Sequence, residues 1–355
     1  MRTIYILVDS FADADFTNAQ MINAREIVAR LDPSRFCVTM FVQGGADAKI
    51  LARPNTRLIQ LPQRLRTVPL LRRFLFAGQD VLFYLKASPA SRWYFKLRSL
   101  GRGECVSVGT IESQTDWQDE TITPKTIRLF EQTVLRCDYL FSNSANVKRS
   151  LEANYGLQSE IVPTGVDTEF FAPNWNRPAN PRPHVLFVGA LRAFKGPHVV
   201  LDAAQRCPQS DFILVGDGVL AQELRSRAQD LPNVRMLGTL GREGIREEYR
   251  KADIFMFPSR WEGSPRVLME AAASGLPVVA RRDYQPESVI DGSTGFLAGD
   301  DAGMMVCLDR LLSDTDLRRQ MGRAAHSHVA RFSWNLITRE WETIFTRLVS
   351  AHGRV

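Results

Sequence analysis

Four side chains in the second half of this chain have the types and spacing for chemistry on a phosphorylated ligand. Glu262 and Glu270 lie eight positions apart around the start of one expected helix. Lys195, with Arg192 before it, lies in a glycine loop that opens another, Val188-Gly189-Ala190-Leu191-Arg192-Ala193-Phe194-Lys195-Gly196. Glycines let a ligand approach the backbone, cations offset a diphosphate, and the free N–H groups at a helix start favour an anion. Two carboxylates at different depths suit hydroxyl groups. Together these features fit a sugar nucleotide: diphosphate on the helix start, one carboxylate for the ribose and one for the sugar. The plainer reading is that both glutamates are solvated or complement the helix dipole.

The elements that must hold these groups are well punctuated. Ile254 to Phe257 is a short apolar run and reads as a buried strand, followed by a loop from Pro258 to Gly263. Ser264 can cap the next helix and Pro265 suits its first position. Gly275 stands where a left-handed residue ends a helix, Pro277 bars its continuation, and Val278-Val279 starts another strand. Strand, loop, helix, strand is the unit of a parallel sheet. The same alternation runs through Val185–Val188, Pro197–Arg206, Phe212–Val215, Val219–Gln229, Val234–Leu237 and Arg242–Lys251. Helices are expected at about Met304–Leu312, Asp316–Val329 and Leu336–Val349.

The same residues resemble the signature of the retaining family-4 glycosyltransferases. Its Glu-Gly-x-Pro, Glu-Ala and Gly-x-Pro-Val-Val elements match Glu262-Gly263-Ser264-Pro265, Glu270-Ala271 and Gly275-Leu276-Pro277-Val278-Val279. Gly189 to Gly196 is similar to that family's diphosphate grip, and Val215-Gly216-Asp217-Gly218 to its second glycine turn. Ser142-Asn143-Ser144, Val162 to Asp167 and Phe332-Ser333-Trp334 also look like family elements. The resemblance implies the GT-B fold: α/β, two Rossmann-like doubly wound parallel-sheet domains facing a central cleft. It implies a nucleoside-diphosphate sugar as donor and a glycan or lipid-linked glycan hydroxyl as acceptor, as in the synthesis of cell-surface polysaccharide. Glu262, Lys195 and Arg192 would then be catalytic. Gly189, Gly196, Gly216, Leu237, Gly263, Ser264, Pro265, Arg266, Val267 and Glu270 would bind donor. In a front-face mechanism the leaving phosphate can take the proton, so charge stabilisation dominates and no metal or cofactor is expected. The chain departs from the pattern at Ala190, where Arg is usual, in the first loop, which lacks paired glycines, and at Gly109-Thr110, where a His is usual. A GT-B sugar-nucleotide epimerase and a catalytically silent nucleotide-sugar-binding scaffold are the rival readings.

Length and composition fit two soluble domains: 355 residues, 45% hydrophobic and 24% charged. The five cysteines are odd in number and lack C-x-x-C spacing, which argues for a reducing, cytoplasmic setting without a disulfide framework or zinc site. No apolar run approaches a membrane span. Asp13-Ala14-Asp15 precedes an ordinary helix of about Asn18–Leu31, capped by Thr17 or Asn18, and is not read as a metal loop.

Charge is uneven. Between Arg53 and Arg102 eleven Lys or Arg face one acid, Asp80, although the whole chain carries only +6. Seven aromatics are interleaved. An ordinary solvated face is one reading. The other is a surface for an acidic acceptor or for the anionic inner face of a membrane, with Arg72, Arg73, Arg92 and Lys96 at its centre. No nucleic-acid motif accompanies the charge. Strands are expected at Ile4–Val8, Phe36–Val42, Leu58–Leu61, Cys105–Val108, Tyr139–Ser142 and Ile161–Val162. A proline-rich break suggests domains at 1–172 and 185–334 with a linker at 173–184, the last helix, about 335–350, packing back on the first domain.

Overall fold

The computed structural model describes residues 2–15, 18–101, 105–118 and 122–352. Thr17 and Arg102 therefore lie outside the described residues. The chain divides into two compact units, one of residues 1–164 with 334–355 and one of residues 165–333.

The first unit begins with β1 (Ile4–Phe11), α1 (Ala19–Arg30), β2 (Phe36–Val42), α2 (Ala48–Ala52), β3 (Thr56–Gln60), α3 (Thr67–Phe76) and β4 (Val81–Phe83). It continues with α4 (Pro89–Leu97), β5 (Val106–Ile111), α5 (Pro124–Glu131), β6 (Tyr139–Ser142), α6 (Ala145–Tyr155) and β7 (Glu160–Ile161). The second unit holds β8 (His184–Val188), α7 (Pro197–Arg206), β9 (Asp211–Val215), α8 (Ala221–Ala228), β10 (Val234–Gly238) and α9 (Arg242–Lys251). After these come β11 (Ile254–Phe257), α10 (Arg266–Ala273), β12 (Val278–Arg281), β13 (Gly295–Ala298), α11 (Asp301–Ser313) and α12 (Thr315–Val329). The last helix, α13 (Trp334–Ala351), belongs to the first unit.

Both sheets are doubly wound and their paired strands run parallel. The orders are β3-β2-β1-β4-β5-β6-β7 and β10-β9-β8-β11-β12-β13. One strand of each reversing pair is apolar throughout and fully buried, as burial on both faces requires: Val81-Leu82-Phe83 and Ile254-Phe255-Met256-Phe257. Strand order reverses at β1/β4 in one unit and at β8/β11 in the other. Loops leaving such a pair turn to opposite faces and open a crevice beyond the carboxyl ends of the strands.

Helix α13 closes the first unit's core. Trp334, Ile337, Trp341, Ile344, Phe345 and Leu348 recur at helical spacing and are all buried. The Phe345 ring lies 6.2 Å from Phe36 and 4.9 Å from Phe83, and Trp341 lies 4.9 Å from Phe141. Aromatic pairs at such distances contribute about 0.5–1.5 kcal/mol beyond area burial.

Four expectations change. Residues 173–184 pack as part of the second unit, whose boundary falls at Thr164/Gly165. There the Arg177 guanidinium donates to the Ala252 carbonyl at 2.7 Å and the Asn180 amide to Asp253 at 2.7 Å. Pro265, not Ser264, is the capping residue of α10, and no side chain caps it. Arg53 is not surface charge: it is buried, donating to the carbonyls of Leu31 and Phe36 at 3.1 and 2.9 Å. Burial pushes its guanidinium down from the usual value. Finally, α3, β4 and α4 arise inside the basic stretch, where no regular element beyond the strand at Leu58–Leu61 is expected from the sequence. Asn18 does cap α1, accepting from the Gln20 N–H at 2.9 Å.

Candidate functional site

The switch point of the second unit gathers most of the singled-out residues. Gly189 follows strand β8, and a short 3-10 turn, Ala193–Lys195, carries the chain to Gly196 and α7. Strand β11 ends at Phe257, and residues 258–265 lead into α10. The two loops are tied together: the Arg260 N–H donates to the Phe194 carbonyl at 2.8 Å.

Glycine is required here for steric reasons. Gly196 has φ +67°, and a Cβ on it would stand 2.7 Å from the Pro258 carbonyl oxygen. Gly216, after β9, has φ +139°, and its Cβ would meet the Gly189 carbonyl oxygen at 1.9 Å. The ends of β8, β9 and β10 are thereby drawn together. The Gly189 N–H donates to the Val215 carbonyl at 3.0 Å and the Gly216 N–H to the Gly238 carbonyl at 2.8 Å. Leu237, the residue before that last glycine, is partly exposed at this edge.

Lys195 and Glu262, on separate loops, form a direct ion pair. Their side chains are only 19% and 11% exposed, so the charges are largely desolvated and depend on each other. The same Glu262 oxygen accepts from the Ser259 hydroxyl at 2.6 Å. The Lys195 ammonium also lies over the rings of Phe194 and Phe257, 5.1 and 5.5 Å from their centres. A fixed cation is thus held at the strand ends, near the start of α10. Arg192 is half-buried just before the 3-10 turn.

Glu270 stands one turn inside α10 and is buried. Arg266 donates to one of its oxygens at 3.2 Å and the Tyr249 hydroxyl to the other at 3.3 Å. Burial, then the charge of Glu270, pushes the Tyr249 phenol well above its usual range, so it stays a proton donor. Tyr284 is its counterpart beside Glu262. It is fully buried, and burial followed by the Glu262 charge raises its phenol in the same way. Its hydroxyl has no hydrogen-bond partner among the described residues. Gly263, Ser264 and Pro265 form the approach to α10, and Arg266 and Val267 are its first two residues.

Sequence reasoning missed Ser259, Tyr249 and Tyr284. Ser259 lies in the loop already singled out, three residues before Glu262. The tyrosines reach the site from α9 and from the segment after β12, and nothing in their local sequence marks them.

In the first unit, Arg72, Arg92 and Lys96 are exposed and Arg73 is half-buried. They sit on α3 and α4, which pack through Phe74 and Tyr94 with ring centres 6.0 Å apart. Asp13 is occupied locally: its carboxylate accepts from the backbone N–H groups of Gln43, at 3.0 Å, and Gly44. No group of three or more His, Cys, Asp or Glu is arranged to hold a metal among the described residues.

Residues 182–314 match the family model described as Glycosyl transferases group 1. The D-inositol 3-phosphate glycosyltransferase of Corynebacterium diphtheriae is 33% identical over 244 residues, covering 61% of this chain and 57% of that protein. The sulfoquinovosyl transferase SQD2 of Arabidopsis thaliana is 32% identical over 190 residues, covering 49% of this chain and 37% of that one. The chain thus spans less than two thirds of the length of these relatives. Among solved structures, the sucrose-phosphate synthase of Thermosynechococcus elongatus superposes with a TM-score of 0.80 at 22% identity, over 99% of this chain and 100% of that one. Anabaena Alr3699/HepE, solved in complex with UDP and glucose, superposes with a TM-score of 0.75 at 17% identity, over 97% and 100%. The fold is that of the GT-B glycosyltransferases, and the match to the glycosyl transferases group 1 model falls within the second unit.

Proposed function

We propose, on the premise of that match and fold, that this protein is a retaining, family-4-type glycosyltransferase that moves a sugar from a nucleoside-diphosphate sugar to an acceptor hydroxyl. The observation that carries the reading is the Lys195–Glu262 pair, set where the loops after β8 and β11 meet in front of α10. Departure of a nucleoside diphosphate develops negative charge, and a preorganised cation with unpaired helix N–H groups stabilises it without reorganisation. Lys195 is assigned to the diphosphate, with Arg192 as a second cation. Glu262 holds Lys195 in place and faces the transferred sugar. Glu270, fixed by Arg266 and Tyr249, is assigned to the ribose hydroxyls. Gly189, Gly196, Gly216 and Gly263 let the donor approach the backbone, and Leu237 lies where the base would rest. No step in this reading requires a metal or cofactor.

The donor assignment is tested by calorimetry with a panel of nucleoside diphosphates. One of them should bind, and Glu270→Ala should weaken it by about 1.5–3 kcal/mol, the range for losing a charged hydrogen-bond partner. Equal affinity in the variant would remove Glu270 from the site.

The acceptor side of the reading is a glycan or lipid-linked glycan met at an anionic membrane surface. On α3, Val68, Arg72 and Phe76 are exposed at four-residue spacing, so they form one stripe. On α4, Arg92, Trp93 and Lys96 are exposed, with the Lys96 ammonium 5.0 Å from the Trp93 ring centre. Leu65, just before α3, is 92% exposed. Apolar tips among cations fit a lipid headgroup layer, where each Lys or Arg contributes about 1 kcal/mol. No helix among the described residues is long and apolar enough to cross a membrane, so any attachment through this patch would be peripheral. The protein is expected to sediment with anionic liposomes at low salt and to be released by high salt. Charge reversal at Arg72, Arg92 and Lys96 together should abolish sedimentation. Recovery of the unmodified protein in the supernatant with anionic liposomes would favour an acceptor met in solution.

A further inference from the structure

The loop that carries Glu262 is tied on one side by groups already described: the Arg260 N–H on the Phe194 carbonyl, with Ser259 and Lys195 on the Glu262 carboxylate. A second tie comes from outside the donor groups. The Arg260 guanidinium donates to Asp301, the first residue of α11, at 2.9 Å. The other Asp301 oxygen accepts from Nη1 of Arg281, the last residue of β12, at 2.7 Å. Arg281 Nε donates in turn to Asp283 at 2.8 Å, with Nη2 at 3.5 Å from the second Asp283 oxygen.

Burial separates the members of this network. The Arg281 side chain is 9% exposed, against 58% for Arg260 and 39% for Asp301. A pair of exposed side chains contributes little, because ordering both of them offsets the attraction. Arg281 changes that balance. Its planar fork holds a carboxylate on each edge, so Asp301 is fixed with one oxygen toward Arg260 and only the Arg260 side chain is left to order. The helix dipole at the start of α11 favours the ionised Asp301. The hydrogen bond to Asp283 outweighs burial and holds the Arg281 guanidinium above its usual value, so the hub keeps its charge. For stability alone an apolar side chain would serve as well at a buried position, since buried charges lose their hydration. What the ion network adds is direction. It acts on both sides of Glu262: Arg260 lies two residues before it, and Asp283 adjoins Tyr284, whose phenol feels the Glu262 charge.

We propose that Arg281, acting through Asp301 and Arg260, is a positioning residue that sets the loop of Glu262. Its effect on turnover rests on the transferase reading; its effect on the loop does not.

The test uses the full chain and two variants. Arg281→Met keeps the stem and removes the fork. Asp301→Asn keeps the shape, breaks the link to Arg260 at a partly exposed position, and serves if the first variant fails to fold. Hydrogen exchange of peptides covering residues 258–265 reads the loop. Hydrolysis of UDP-glucose, UDP-galactose, UDP-N-acetylglucosamine and GDP-mannose reads turnover, and calorimetry with UDP and GDP reads affinity. Either variant should speed exchange in residues 258–265 and leave peptides from β8 and β11 unchanged. The kcat for the sugar nucleotide consumed should fall by about 10- to 100-fold, as expected for a misplaced reacting group, while nucleoside diphosphate affinity is kept. Adding Arg260→Gln to Asp301→Asn should cost no more than either change alone, because both cut the same link. Unchanged loop exchange in the folded variants would overturn the proposal, as would an unchanged kcat beside a loosened loop. Faster exchange across the whole second unit, or additive losses in the double variant, would overturn it too, leaving the network a role in stability alone. Loop-confined exchange in variants of a chain that consumes none of these sugar nucleotides would instead overturn the transferase reading and leave the tether standing.

Discussion

Replacing Lys195 by alanine is expected to lower turnover of the bound donor by about 10²–10³-fold, the loss seen when one preorganised stabilising group is removed from a developing anion. The variant removes the Lys195 ammonium from a largely buried Glu262 that also accepts from the Ser259 hydroxyl at 2.6 Å. Unpairing one member of a buried ion pair destabilises a fold by about 3–5 kcal/mol, so part of the effect could arise from stability. Urea unfolding of the variant separates the two causes, because single-turnover rates at saturating donor are compared only under conditions where the variant is folded. A folded variant that keeps turnover within about tenfold of the parent would show that Lys195 only balances Glu262 and does not act on the leaving group.

The second large effect is structural. Gly216→Ala should destabilise the second unit by more than about 4 kcal/mol, beyond the range of ordinary substitutions. Its backbone φ of +139° suits glycine, and the added Cβ would lie 1.9 Å from a backbone oxygen of Gly189. Neither partner is a flexible side chain that can swing away. The turns after β8 and β9 would have to separate, breaking the bonds that join Gly189 to Val215 and Gly216 to Gly238. Urea unfolding followed by a probe in the second unit measures this. A loss of under about 1 kcal/mol would mean that the two turns do not meet as closely as described.

The second unit was legible because its signals are local. Apolar runs such as Ile254–Phe257, prolines at helix starts and Gly275 after α10 each act over a few residues, and the site residues lie beside them. Even there the cap of α10 was placed one residue early, since Ser264 and Pro265 both suit a helix start and only the backbone decides. The first unit was harder. Strand β4 is three residues long, too short for periodicity, yet it is the central strand at the reversal. The density of cations around α3 and α4 hid the apolar face formed by Leu70, Phe74 and Tyr94. Arg53 reads as surface charge because composition cannot show that the carbonyls of Leu31, Phe36, Pro54 and Asn55 accept from its guanidinium. Tyr249 and Tyr284 reach their sites by tertiary packing, which no window of sequence contains.

The central claim is that the crevice at β8 and β11 holds a nucleoside-diphosphate sugar for transfer. The most direct measurement is donor consumption, followed by NMR, across a panel of sugar nucleotides with the purified full chain. The account predicts that one sugar nucleotide is consumed to its nucleoside diphosphate, slowly with water and faster with an acceptor, with the anomeric configuration of the sugar kept in the glycoside. Consumption with inverted configuration would contradict the retaining assignment. A folded chain that consumes none of the panel would contradict the transferase reading itself.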